Sequence, residues 1–312
     1  MKLETHYGKA QVSTYRTWAS PLRGVTPIPE STWTGSDNVL VGASIDIKVL
    51  GEVFAGAYTD GDNSLVVATD TMENVIHRES LAWTGATLEG WLAFLGRRFL
   101  DTYPQMERLV VSGEEIPFDP SMVPDGDGGF GLSSVLFSAT HGDRGVASLE
   151  VGRGASGAAV VSEARAGRLG LELVKVTGSA FAAFARDGYT TLPERRDRTL
   201  FTHMDIRWRY ADPADAVGDD LARYVGCPQV ADLAAAVFHR FVSLSIQHLV
   251  HEIGTLMLER WPQLSEVGFE AQNRTWDLGQ GSPKQAPGTQ PKVFTDPRPP
   301  FGRIGLVLRR DA

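Results

Sequence analysis

Residues 65–76, LVVATDTMENVI, set a threonine hydroxyl beside a carboxylate where strand-forming residues give way to a helical pattern. Two readings of that spacing stand side by side. In one, Asp70 caps the helix and Glu73, three positions on, reaches back to close a capping box, which satisfies first-turn N–H groups that lack partners. In the other, the same geometry holds Thr69 at the rim of a sheet, where its hydroxyl can take part in chemistry. A second set lies in residues 171–198, LELVKVTGSAFAAFARDGYTTLPERRDR. By residue type this is a strand, then Ser179 capping a short helix that carries Phe181 and Phe184, then a turn that delivers Arg198 from a cluster of mixed charge. On that evidence Arg198 reads as a surface ion-pair partner of Asp197 or Glu194.

Other motifs carry less. GRGASG, residues 152–157, matches the glycine spacing of dinucleotide-binding loops, but no long helix follows it, so it reads as a hairpin loop. His248 and His251, three apart beside Glu252 on a helical pattern, have no evident third ligand, which favours an ordinary helix face over a metal site. DGDGGFG, residues 125–131, lacks the closing glutamate of a calcium loop and reads as a connection. The single cysteine, Cys227, excludes an internal disulfide framework and reads as a packed filler.

The elements that must position these residues follow from periodicity. Val39 to Val49 alternate as a strand, and TDGDNS, residues 59–64, reads as the turn of a hairpin whose second arm is LVVA, ending at Thr69. Helices are expected from about Asp70 and about Thr87, the latter carrying Leu88, Trp91, Leu92, Leu95 and Phe99. RLVVSG resumes the strands. The second half repeats the order: strands through VASLEV, AAVVSEA (turned at Gly167), LELVKV and HMDIRWRY, then two or more helices, among them a long amphipathic one from about Val230 past Ile253 with Gly254 as its weak point. VGFEAQNRTW and RIGLVL close the chain as strands, separated by a Pro-rich surface loop. Strand pair, helix pair, strand pair, twice over, implies an α+β protein with antiparallel sheets carrying helices on one face.

The chain has 312 residues, of which 42% are hydrophobic, enough for a large core. Its formal net charge of −8, with no basic block, argues against nucleic acid. No apolar run is long enough to span a bilayer, and the N-terminus lacks a secretory pattern, so a cytoplasmic protein is expected.

The arrangement L-x-L-V-K-V-T-x-S-x-F-x-x-F-x-x-x-x-Y-x-x-L-x-x-x-x-x-R in residues 171–198 resembles the signature segment of urate oxidase (uricase). Further segments resemble that family in the same order: YGK at residues 7–9, DNSLVVATDTMEN, SIQ at residues 245–247, and FEAQNRTWD. The likeness is weak from about Pro117 to Ala147. It implies tandem tunnelling-fold units, here 1–145 and 146–312, in a homotetramer with active sites between subunits. It also implies urate and O₂ as substrates and no cofactor. Lys9, Thr69 and Asn273 would be catalytic, and Thr69, Asp70, Phe181, Arg198, Ile246, Gln247 and Asn273 would hold the substrate. Oxidation without metal or flavin requires that urate itself supply electrons, so Lys9 is expected to act as a base with a lowered pKa, relaying protons through Thr69. One departure stands out: many members carry a histidine where this chain has Thr275, and a hydroxyl cannot store a proton near neutral pH. A related oxidase of another purine, or a purine or pterin binder without turnover, remains open on that ground.

Overall fold

Along residues 40–50 the alternation of side chains has its physical origin in the pleat: Ala43, Ile45, Ile47 and Val49 are all buried. A computed structural model describes residues 3–140, 142–274, 276–282, 290–295 and 300–311. The chain divides into two compact units. The first comprises Met1–Thr26, Thr34–Gly167 and Arg209–Gly226; the second comprises Pro27–Trp33, Arg168–Trp208 and Cys227–Ala312.

The first unit contains β1 (His6–Thr17), β2 (Leu40–Leu50), β3 (Arg108–Glu115), β4 (Phe118–Pro124), β5 (Phe130–Ala139) and β6 (Arg144–Arg153). Its helices are α1 (Ala55–Thr59), α2 (Thr69–Ala82), α3 (Leu88–Thr102) and α4 (Ala214–Val217). Strands run in the order β1-β2-β3-β6, each pair antiparallel, while β4 and β5 form a separate hairpin. Helix α2 lies against β1, and α3 lies against β3 and β6. The amphipathic pattern of α3 buries Trp91, Leu92, Leu95 and Phe99, and Thr87 caps it by accepting from the Gly90 amide.

The expected hairpin after β2 does not form. Both edges of β2 are taken, by β1 and by β3, so the apolar run at residues 65–68 has no strand to pair with and leads directly into α2. Thr69 is therefore the first residue of α2 rather than the last of a strand, and Ala68 is the N-cap, with no side-chain cap hydrogen bond. The capping box is absent because Asp70 and Glu73 are engaged elsewhere, by Lys9.

Strands β7 (Ala159–Phe181) and β8 (Arg195–Tyr210) contribute residues to both units. Within the second unit the order is β7-β8-β9-β10, with β9 (Leu264–Asn273) antiparallel to β10 (Gly302–Arg309). The helices are α5 (Cys227–Arg240) and α6 (Ile246–Arg260), with α6 against β9 and β10. Met204, Ile206, Trp208, Val267, Phe269 and Ala271 are buried on the sheet; Leu233, Val237, Leu249, Ile253 and Met257 are buried on the helices.

Three expectations are corrected in this unit. The strand passes through Gly167 without turning and continues to Phe181, so Ser179 is not a cap: it forms a bridge to Ser243 instead. Residues 182–194 contain no helix. The long helix expected to run from Val230 past Ile253 is interrupted, because the backbone leaves α5 after Arg240 and restarts at Ser245, whose hydroxyl caps α6 by accepting from the His248 amide at 3.1 Å. Gly254 is not a weak point but a contact point, since a Cβ there would lie 2.6 Å from Leu308 and 2.9 Å from Phe269. GRGASG, by contrast, turns between β6 and β7 as expected, closed by the Gly154 amide donating to the Ala158 carbonyl. Among the described residues no helix is long and apolar enough to cross a membrane.

Candidate active site

The first unit carries Lys9, Thr69 and Asp70. Their arrangement begins with a bulge: the β1–β2 register shifts between Lys9 and Val12, so β1 has one extra residue there. Gln11 takes a left-handed φ of 58°, and its amide donates to Asp46 Oδ1 at 2.6 Å. Because side chains alternate with period two, the extra residue puts Lys9, opposite Ile47, on the same face as Val12, opposite Ile45. That is the face covered by α2. Lys9 Nζ there lies 3.0 Å from Asp70 Oδ1 and 2.7 Å from Glu73 Oε2.

The neighbours of Lys9 in YGK have structural tasks of their own. Tyr7 accepts from the Val67 amide through its hydroxyl at 3.3 Å and meets Phe54 edge-on, which fixes the segment that delivers Thr69. Gly8 is required by close approach, since a Cβ would lie 1.8 Å from the Ile47 carbonyl oxygen. Thr69 and Asp70 are exposed in the first turn of α2.

The electrostatics of Lys9 reverse the expectation. Hydrogen bonds to Glu73 and then Asp70 raise its pKa, outweighing burial, so the unliganded chain holds it as an ammonium. Sequence gave no sign of this, because the carboxylates that act on Lys9 come from a helix more than sixty positions away.

The second unit carries Phe181, Arg198, Ile246, Gln247 and Asn273. Arg198 lies on β8 with its guanidinium carbon 5.5 Å from the centroid of the Phe181 ring at the end of β7. Its Nε is buried and has no hydrogen-bond partner, and burial lowers the pKa of the guanidinium from its ordinary value. The expected ion pairs are not made. Asp197 accepts from the Thr177 hydroxyl and the Gly178 amide, and Glu194 accepts from the Ala183 amide. Phe184 stacks on Phe181 at 4.9 Å and 10°, and Ala183 between them has φ 56°.

Hydrogen bonds tie the end of β7 to the start of α6: Ala180 N donates to Ser243 O at 2.8 Å, and the Ser243 and Ser179 hydroxyls meet at 3.2 Å. Lys175 braces the same segment by donating to the carbonyls of Phe238 and Phe241. Phe181 and the Ile246–Gln247 pair are thus presented from linked segments. Ile246 is buried and Gln247 exposed, both in the first turn of α6, where backbone N–H groups have no helical acceptor. Asn273 ends β9, and the amide of the next residue, Arg274, donates to Phe201 of β8. Trp276 stands between Phe201 and Phe294. Thr275 lies outside the described residues.

A cleft of about 680 Å³ in the first unit, lined by Leu50, Arg108, Arg153 and Val160 among others, includes none of the residues above. Arg153 there is occupied by carbonyls at the end of α3. Chemistry is better sought at the two cationic groups.

Known proteins resemble this chain over most of its length. The family model described as Uricase matches residues 164–305. A uricase of Haloferax volcanii is 49% identical over 272 residues, covering 87% of this chain and 88% of that one. The uric acid degradation bifunctional protein PucL of Bacillus subtilis is 42% identical over 313 residues; the match covers 100% of this chain and 62% of PucL. The crystal structure of urate oxidase from Bacillus sp. TB-90 covers 98% of this chain and 100% of its own, with a TM-score of 0.92 and 40% identity. A uricase from Bacillus fastidious gives a TM-score of 0.93 at 41% identity, covering 99% of this chain and 94% of its own.

Proposed function

The chain belongs to the uricase family, and from that premise we propose that it oxidises urate with O₂, producing 5-hydroxyisourate and hydrogen peroxide. Urate gives up two electrons and two protons, O₂ takes them as peroxide, and water adds the new oxygen to the oxidised ring. The observation that carries the reading is Arg198, a guanidinium over an aromatic ring with a buried Nε that no protein group satisfies. A planar anion needs a face to lie on and a cation at its edge. Phe181 offers the first. Arg198 offers the second, its fork spanning a carbonyl oxygen and a ring nitrogen. The Gln247 side chain and the Ile246 N–H hold the opposite edge.

Lys9, Thr69 and Asn273 take the protons and the oxygen. The ammonium of Lys9 becomes a base only after its own proton has left, and the Thr69 hydroxyl is the exit that the family resemblance implies. Asn273 with Thr69 holds O₂, then water, above the ring. Asp70, as a partner of Lys9, acts on the same nitrogen rather than on the threonine.

We further take the chain as tandem tunnelling-fold units, the first sheet closing with β6, which pairs with β3, rather than near residue 145. The reading is supported by strand orders β1-β2-β3-β6 and β7-β8-β9-β10, each with two longer helices. Four chains would assemble with the Lys9 group of one facing the Arg198 group of another.

The test uses full-length, metal-stripped protein in air-saturated urate, following loss of the urate ultraviolet band together with peroxide. Equal loss and gain, abolished by Lys9→Ala and Thr69→Ala, is the expected result. Urate that binds without being consumed contradicts it.

A further inference from the structure

The shortest ionic contact of Lys9 is to the second turn of α2. Glu73 Oε2 lies 2.7 Å from Lys9 Nζ, against 3.0 Å for Asp70 Oδ1. The side chain of Asp70 is 90% exposed and that of Glu73 only 41%, so solvent screens the Asp70 contact far more. Glu73 is also four residues beyond Thr69, which places the two side chains on one stripe of α2. Glu73 and Thr69 therefore share one side of α2, and Lys9 is held against the Glu73 end of it.

We propose that Glu73 is a positioning residue for Lys9: its carboxylate holds the lysine nitrogen in the unliganded chain and so governs when that nitrogen is free to serve the substrate. The proposal deepens the reading of Lys9 as the base and rests on it. The charged groups around Lys9 are few. From α2 they are Asp70 and Glu73; on β2 the residue opposite is Ile47, and Asp46 is bound to the Gln11 amide; on β1, Tyr7 turns its hydroxyl to the Val67 amide. Of these, Glu73 is the first cause of the raised pKa of Lys9. The sign follows: a neighbouring carboxylate favours the charged lysine, so its removal moves the titration of Lys9 to lower pH.

The experiment uses the full-length chain with Glu73→Gln and Glu73→Asp, read in two ways. One is the pH dependence of kcat for urate. The other is the pH dependence of Lys9 modification by an amine-reactive reagent, quantified by peptide mass spectrometry, which needs no turnover. Glu73→Gln is expected to move both midpoints down by on the order of one pH unit, about tenfold in rate on the acid side, with KM changed by less than about twofold. Glu73→Asp, the conservative variant, should fall between and carries the test if Glu73→Gln does not fold. Midpoints that stay in place in both readouts, or a kcat lowered equally at every pH, overturn the proposal and leave Glu73 a structural tie. A modification midpoint that moves while the kcat profile does not supports the Glu73–Lys9 coupling and removes Lys9 as the base.

Discussion

Lys9 and Arg198 are both cations named by the same family resemblance, and the fold treats them oppositely. Lys9 is given two carboxylates and keeps its proton. Arg198 is given an aromatic face, while the carboxylates beside it in sequence are bound to other groups and its Nε is left buried without a partner. An uncompensated buried charge costs several kcal/mol and persists where a ligand is to supply the missing partner. A cation already balanced by carboxylates leaves no such vacancy for an anionic ligand. Under the proposed function, the difference separates a charge anchor from a proton-handling group before any substrate is present.

The comparison can be broken most directly at the anchor. Arg198→Gln should lower kcat/KM for urate by roughly 10²–10³, the loss of a charge-assisted bidentate contact, in steady-state assays. A smaller loss than that produced by Asp70→Asn would reverse the roles. Glu89 provides a control, being a buried titratable group with no ligand to await. It is 1% exposed, its Oε2 has no partner, and burial first, then Glu115, push its carboxyl up to about 8. The folded chain thus keeps a proton that the unfolded chain gives up above about 4.5. Stability from this group is fully present below that pH and is lost as pH rises toward about 8, a cost of a few kcal/mol at neutral pH. Glu89→Gln should therefore gain on the parent in Tm between pH 5 and 8, and the gap should stop growing above.

Smaller effects sharpen the Lys9 side. Gly8→Ala forces β1 away from the Ile47 carbonyl and should cost about 1–3 kcal/mol in denaturant unfolding, with turnover falling alongside. Asp46→Ala removes the carboxylate that holds the bulge. We expect about 1 kcal/mol of stability lost and a drop in kcat larger than the change in KM.

Much of the scaffold was legible because its signal is local. Strand β2, helix α3 and the buried stripe of β8 each follow from periodic burial on one face. The errors arose where a distant partner decides. Leu65–Ala68 has strand-forming residues but no free strand edge, and the helical pattern through residues 241–245 runs on in sequence although Ser245 restarts the helix. Strand β1 was not singled out, since its bulge interrupts the alternation. The site shows the same division. Residue identities were readable from motifs, but the contact of Lys9 with Glu73, the empty edge of Arg198 and the bond from Tyr7 to the Thr69 segment are long-range and leave no local trace.

The measurement that tests the separation of roles most directly is the affinity for urate under anaerobic conditions, where binding occurs without turnover, in the parent chain, Lys9→Ala and Arg198→Gln. The account predicts that Lys9→Ala binds within about threefold of the parent, while Arg198→Gln binds roughly a hundredfold more weakly, near 2.7 kcal/mol. Equal weakening in the two variants, or tight binding retained by Arg198→Gln, would contradict it.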